Sequence, residues 1–265
     1  YDDPDVVAVY GDAAATGQRV NVVIVPDGYT YDQKSLMEAH ARNLVLYLER
    51  KPPFGEHREL VNYILVYAYS AQSGADACDC PEDDASHLRD TAMNAGFPGK
   101  VATCEDPANR RLYYDKCDGT GGEENIVAAE LRAPAHDVTL LMVNTDRRGG
   151  SAGTRGAYSA AHQDGLAIAA HELAHAFANL DDEYVEEEGC GSEAGEINTT
   201  LDESGAAWAE WLAELGPPRE GAQYYPRCVY RPDDSCAMRE DSHPFCAVCR
   251  QRLSLAFFEN PRVAT

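Results

Sequence analysis

The sequence predicts an α+β chain, in which a mixed, twisted sheet with helical cover fills the first two-thirds and a loop-rich, cysteine-linked lobe follows. Three observations lead there. Two strand-sized apolar runs, Val20 to Pro26 and Val61 to Tyr69, flank a helical stripe and so form a β-α-β unit. An alanine-rich apolar stretch, Leu166 to Leu180, is helix-sized. After Tyr184 the chain becomes acidic, glycine-containing and cysteine-bearing.

Along the chain, Val20 to Pro26 (VNVVIVP) reads as a buried strand that ends at the turn Asp27-Gly28. From Gln33 to Arg50, Met37, Ala41, Leu44 and Leu48 recur at helical spacing until Pro52-Pro53 stops the helix. Val61 to Tyr69 is the second strand. The Cys-, Gly- and Asp-rich span from Ser70 to Gly122 is expected to be irregular surface held by disulfides. Glu123 to Ala133 is a short helix and Val138 to Asn144 a third strand. Gly149 to Gly153 is a glycine-rich loop without a G-K-[S/T] ending, so it is not a nucleotide site. Trp208, Trp211, Leu212 and Leu215 mark a short amphipathic helix ended by Gly216-Pro217-Pro218, and Cys246 to Glu259 a final helix. Asn198-Thr199-Thr200 fits a glycosylation sequon, a tripeptide that also arises often by chance.

Composition narrows the function. The 265 residues, 44% hydrophobic, suffice for one large domain or two lobes around a cleft. A net charge of −23, from 45 acidic and 22 basic residues, repels nucleic acid and anionic membranes. No run approaches the ~20 apolar residues of a membrane span. A monomer without nucleic-acid or membrane partners is therefore expected. The chain opens at Tyr1 with no initiator Met and reads as a mature or trimmed product, from which a signal peptide could have been removed unseen. The acidic tract Glu186-Glu187-Glu188 reads as a solvated loop, with a structural Ca2+ ion as the second reading.

Nine cysteines fall into an early group (Cys78, Cys80, Cys104, Cys117) and a late group (Cys190, Cys228, Cys236, Cys246, Cys249). The economical reading is disulfides in a secreted, extracellular protein, with one thiol left over. Cys246-x-x-Cys249 also has the spacing of half a zinc knuckle, but no second C-x-x-C completes it.

The chemistry lies in His171-Glu172-Leu173-Ala174-His175. On a helix, residues four apart share a face, so both imidazoles can reach one metal ion and the carboxylate between them can reach a water there. Zinc in a hydrolytic site takes three protein ligands and keeps one position open. The third ligand is sought in Asn179-Leu180-Asp181-Asp182-Glu183-Tyr184, just beyond the helix. His171, His175 and an acid from this cluster would bind Zn2+, and Glu172 would serve as general base toward the attacking water. His162 is read as a polar cap of the motif helix. His40, His57, His87 and His136 have no metal spacing.

The run from His171 to Tyr184 resembles the signature of the immunoglobulin A peptidase family, bacterial zinc metallopeptidases related to the metzincins, whose pattern is H-E-x-G-H-[small]-x-x-G-L-x-D-E-Y. Val22 to Thr30 resembles the family's strand ending in D-G-Y-T. Tyr224 to Met238 and Pro244 to Cys249 resemble its C-terminal portion. The resemblance implies a metzincin-like zincin domain with the zinc helix at the cleft floor, an edge strand along the cleft and a methionine turn, here Met238, supporting the metal from beneath. The family's glycines at the fourth and ninth motif positions are Ala174 and Asn179, and Asn is the usual non-glycine residue for a left-handed reversal. Metzincin spacing would make Asp181 the third ligand, whereas alignment on D-E-Y makes it Asp182. Asp182 is favoured, with Asp181 as the alternative and Glu183 a more distant one. Some metzincins carry a transition-state-stabilising tyrosine two residues after the methionine. That position is Glu240 here, which leaves Tyr184, Arg239 and His243 as substitutes.

The expected chain is one catalytic domain, with an N-terminal β/α subdomain at 1–184 and a C-terminal subdomain at 185–265. The expected activity is that of a secreted zinc endopeptidase acting on protein or peptide substrates. A zinc hydrolase of other amides or esters, and a catalytically silent extracellular binding module, are the alternatives.

Overall fold

The computed structural model describes residues 5–12, 15–77, 88–97, 109–114, 122–193 and 195–264. The early cysteine group and His87 lie outside the described residues. Strand β1 (Val6–Tyr10) is followed by β2 (Val20–Asp27), helix α1 (Lys34–Leu48), β3 (Val61–Val66), α2 (Glu123–Glu130), β4 (Val138–Val143), β5 (Gly150–Ala152), β6 (Gly156–Ser159) and α3 (Gly165–Ala178). Beyond these come α4 (Leu212–Leu215), the hairpin β7 (Arg219–Ala222) and β8 (Tyr225–Arg231), and α5 (Ala247–Glu259).

Six strands form one mixed sheet in the order β1-β3-β2-β4-β6-β5. The β-α-β unit is present: β2 and β3 pair in parallel, from Val20 opposite Val61 to Ile24 opposite Leu65. β4 and β6 extend the parallel set, and β1 and β5 close the two edges antiparallel. Every residue of β2, β3 and β4 is buried. Alternate side chains point to opposite faces, which explains why these strands are apolar without alternation. Val22, Ile24, Leu140 and Met142 join α1, α3 and α5 in one core, while Val23, Val25, Leu141 and Val143 pack under Ile126 and Ala129 of α2. The first core runs from β2 through Leu173 of α3 to Leu253 and Phe257 of α5. Residues on both sides of the 184/185 division therefore share it.

Asp27, at the end of β2, is buried and anchors a distant loop. Its carboxylate accepts the backbone N–H groups of Met93 and Ala95, both at 2.8 Å, and the Thr91 hydroxyl at 2.9 Å. Thr30 and Gln33 form a capping box at the approach to α1. In the C-terminal part, Trp208 is buried and donates its indole N–H to the Ile197 carbonyl at 2.6 Å, and Trp211 donates to Gln251 at 3.0 Å.

Several expectations are corrected. The glycine-rich segment at 149–153 is not a free loop, because Gly150–Ala152 forms the edge strand β5 on β6. β1, β6 and the β7–β8 hairpin carry no periodicity strong enough to announce them. In the late cysteine group only Cys190 and Cys228 are bonded, leaving three buried thiols instead of one. Asn198, the sequon asparagine, is fully buried and holds Asp181 and Glu183, so it cannot carry a glycan. His162 precedes the helix, whose N-cap is Asp164, and its Nδ1 accepts the Asp164 N–H at 3.1 Å. Glu186 to Glu188 are exposed, with Glu186 paired to Arg110 at 3.1 Å. Among the described residues they belong to no cluster of ligating side chains that could hold an ion. Among the described residues no helix is long and apolar enough to cross a membrane.

Candidate metal centre

α3 is built from helix formers, and its apolar residues Ile168, Ala169, Leu173 and Ala174 pack into the core. Gly165 begins it at a point where a Cβ would collide with the Ser159 carbonyl. Asn179 ends it in the left-handed conformation, φ 51 and ψ 49, as its residue type leads one to expect. That reversal folds Leu180 to Tyr184 back toward the helix face bearing His171 and His175.

The consequence is a triangle of acceptors. Nε2 of His171 lies 3.0 Å and Nε2 of His175 lies 3.1 Å from the same Asp182 oxygen, Oδ1, and the two nitrogens are 2.9 Å apart. Each Nδ1 meets a backbone carbonyl, Ala237 O at 2.8 Å for His171 and Leu180 O for His175. A carbonyl has no proton to give, so each Nδ1 carries the hydrogen and each Nε2 presents a lone pair. In the neutral rings two lone pairs and a carboxylate oxygen thus converge on one point, an arrangement that a positive charge there, a proton or a metal ion, relieves. A tetrahedral ion with ligands at about 2.0–2.2 Å sets such edges at about 3.3–3.6 Å, so the three atoms stand within about half an ångström of a coordination shell.

The surrounding charges favour a positive charge at that point, a proton on His171 or a metal ion. Burial works against a charged His171, but the hydrogen bond to Asp182 and the charges of Glu172, Asp182 and Asp241 outweigh it and lift the imidazole to about 10. Burial opposes ionisation of Asp182 as well, yet hydrogen bonds with His171 and His175 hold its carboxyl far below the usual carboxylate range. Glu172 is buried, and burial pushes its carboxyl up to about 7 against the pull of both histidines. That value suits a group that must both accept and return a proton near neutral pH. Gly150 of β5 gives Glu172 its room, since a Cβ there would stand 2.5 Å from Glu172 Oε1.

The remaining candidates divide. Asp181 points away, accepting from Glu196 N at 2.6 Å, Thr199 Oγ1 at 2.5 Å and Gln223 Nε2 at 2.8 Å. Glu183 is turned into a separate cluster with Cys236, Cys246 and Cys249. Met238 is fully buried, and its carbonyl accepts the Glu183 N–H at 2.8 Å. It lies in the tight 236–240 turn whose Ala237 orients His171. The Tyr184 ring stacks beside His171, centroids 6.4 Å apart. Arg239 binds the Asp234 carbonyl at 2.9 Å, and His243 faces Glu240 at 3.5 Å.

Sequence reasoning missed Tyr224. Its hydroxyl donates to Asp182 Oδ2 at 2.6 Å, leaving Oδ1 for the imidazoles. Gln223 and Tyr224 form the two-residue turn of the β7–β8 hairpin, at φ 49 and 74. Such turns are normally written Asn-Gly, so Gln-Tyr gave no signal. A cavity of about 610 Å3 opens over the site, reaching His171, Glu172, Gly150 and Tyr184 as well as Arg148 and Asp241. A second of about 640 Å3 continues past His175, Asp182 and Tyr224. Both sizes fall in the range of ligand-binding clefts.

A family model described as IgA Peptidase M64 matches residues 9–219. Met238, Tyr224 and the last four cysteines lie beyond that span. None of the curated proteins compared with the chain matches it.

Proposed function

As this chain belongs to the IgA peptidase M64 family, and so to the metallopeptidases, we propose that it is a zinc-dependent endopeptidase with His171, His175 and Asp182 as metal ligands and Glu172 as general base. The observation that carries this reading is the triangle of Nε2, Nε2 and Oδ1, with edges of 2.9, 3.0 and 3.1 Å and both imidazole tautomers set by backbone carbonyls. The donor set, two neutral nitrogens and one carboxylate, fits zinc with an open position.

Zinc held there supplies Lewis acidity toward the scissile carbonyl and toward the attacking water. Glu172 takes the proton from that water and returns it to the departing amine, for which its buried carboxyl is suited. Tyr184, beside His171, is the group proposed to donate toward the developing oxyanion. Tyr224 positions Asp182. Met238 and its turn support His171 through the neighbouring Ala237 carbonyl. β5, an antiparallel edge beside Glu172, supports the reading of a metzincin-like domain with an edge strand along its cleft. The Cys190–Cys228 disulfide supports an extracellular protein.

The test compares wild type with Glu172→Ala on casein and on a peptide library, each with and without a zinc chelator. Cleavage by wild type that is lost on substitution and on chelation is the expected result. Cleavage surviving both defeats the proposal, and absence of cleavage by every form favours a silent binding module.

A further inference from the structure

Behind the histidine site, on the far side of the 182–184 segment, lies a second group of metal-ligating side chains. Glu183, Cys236, Cys246 and Cys249 bring one ligand atom each to within 4.8 Å of every other, and all four residues are buried. The Cys236 and Cys249 sulfurs are 3.6 Å apart, and Cys249 Sγ is 3.2 Å from Glu183 Oε1. A disulfide brings sulfurs to about 2.05 Å. A tetrahedral zinc ion with Zn–S near 2.3 Å and Zn–O near 2.1 Å sets them about 3.8 Å apart, with sulfur and oxygen about 3.6 Å apart. The two separations come within about half an ångström of a coordination shell, and no sulfur pair is close enough to be a disulfide in place of it.

Its chemistry has the same character. Glu183 Oε1 is held by Asn198 Nδ2 at 2.9 Å, while Oε2 is buried without a hydrogen-bond partner. Cys246 caps α5 and Cys249 lies in its first turn, where the helix dipole favours thiolate. Three thiols and a carboxyl in mutual contact, away from water, cannot all ionise. A divalent ion removes that conflict, and three thiolates with one carboxylate leave the same formal charge as a four-cysteine zinc site. The knuckle that C-x-x-C begins is completed by Cys236 and Glu183, distant in sequence.

We propose that Glu183, Cys236, Cys246 and Cys249 form a second, closed zinc site of structural type. It ties the segment after α3, the 236–240 turn and the start of α5 into one unit, and its loading releases the thiol protons to solvent. Asp182 precedes one ligand, and Ala237, which orients His171, follows another. The site thus holds two partners of the histidine centre in place without touching substrate. The inference stands independently of the peptidase reading.

The test uses the whole chain carrying His171→Ala and His175→Ala, which removes the first centre. Elemental analysis is expected to find one zinc per chain, lost when Cys246→Ser and Cys249→Ser are added. Cobalt in place of zinc is expected to give a thiolate-to-metal charge-transfer band that disappears with the same substitutions. If the serine variant does not fold, alkylation of the folded histidine variant decides, mapped by mass spectrometry: Cys236, Cys246 and Cys249 should be protected until a chelator is added. A histidine variant without zinc or charge-transfer absorption, or a disulfide between any two of these three cysteines, overturns the proposal. Failure of the peptidase reading would leave the cobalt spectrum unchanged.

Discussion

The Tyr224 hydroxyl donates to Asp182 Oδ2 at 2.6 Å, and so divides the carboxylate between a tyrosine on one oxygen and two imidazoles on the other. A carboxylate gripped in this way cannot swing, and outer partners of this kind set ligand orientation and metal affinity. Tyr224→Phe is expected to weaken zinc binding about 10–100-fold with little change in fold. Competition with a chromophoric chelator measures it, and unchanged affinity would remove Tyr224 from the site.

The two adjacent aspartates should behave differently. Asp182→Ala is expected to abolish zinc binding at the histidine centre, beyond the effect of Tyr224→Phe. Asp181→Ala removes acceptors from Glu196 N, Thr199 and Gln223 and is expected to cost about 2–3 kcal/mol of stability while zinc content holds. Zinc analysis beside thermal unfolding separates the two, and the reverse pattern would make Asp181 the ligand.

Glu172→Gln keeps shape and loses the base. The rate is expected to fall about 10²–10⁴-fold with zinc retained. Because the base works ionised, kcat/KM should decline as pH falls through the Glu172 value. Burial holds that value at about 7, and a bound dication draws it lower, so the acidic midpoint belongs below about 7. A pH–rate profile of wild type and of the residual activity checks this, since the variant should lack that limb.

Gly150 tests the same carboxylate without altering it. A methyl group there meets Ile168 and stands 2.5 Å from Glu172 Oε1, so the base must move. Gly150→Ala is expected to lower kcat/KM at least tenfold (roughly, from ångström-scale misplacement) with zinc content unchanged. Full activity would mean that the geometry of Glu172 is not limiting.

Asp27 sets a pH dependence of stability remote from the metal. Burial raises its carboxyl from 3.8 to about 6, against the Met93 and Ala95 amides. The folded chain then binds the proton more tightly than the unfolded chain, so this contribution is present below about pH 4 and is lost as pH rises to about 6. The loss amounts to as much as about 3 kcal/mol. Denaturant unfolding from pH 4 to 7 should show a slope in wild type that is shallower in Asp27→Asn, the difference being the contribution of Asp27.

What could be read from sequence was local. The parallel core strands and α3 announce themselves by apolar run and helical spacing, and Asn179 by the backbone conformation its side chain tolerates. The choice between Asp181 and Asp182 rested on a resemblance. What separates them in space is a ring of donors from residues 196, 199 and 223, which no spacing reveals. Tyr224 was hidden by an unusual hairpin turn, β5 and β6 by small residues at a short sheet edge, and the thiol cluster by ligands drawn from distant segments.

Trp208 and Trp211 are the only two indoles of the chain, and both sit past residue 184, one sealed in the core and one tethered to α5. Emission from this protein therefore reports on its distal third, while far-ultraviolet dichroism is dominated by the sheet and its helices. Melting curves followed by the two signals should superimpose if the shared apolar interior makes the molecule yield as one cooperative body. Separation of the curves would mark 184/185 as a physical seam.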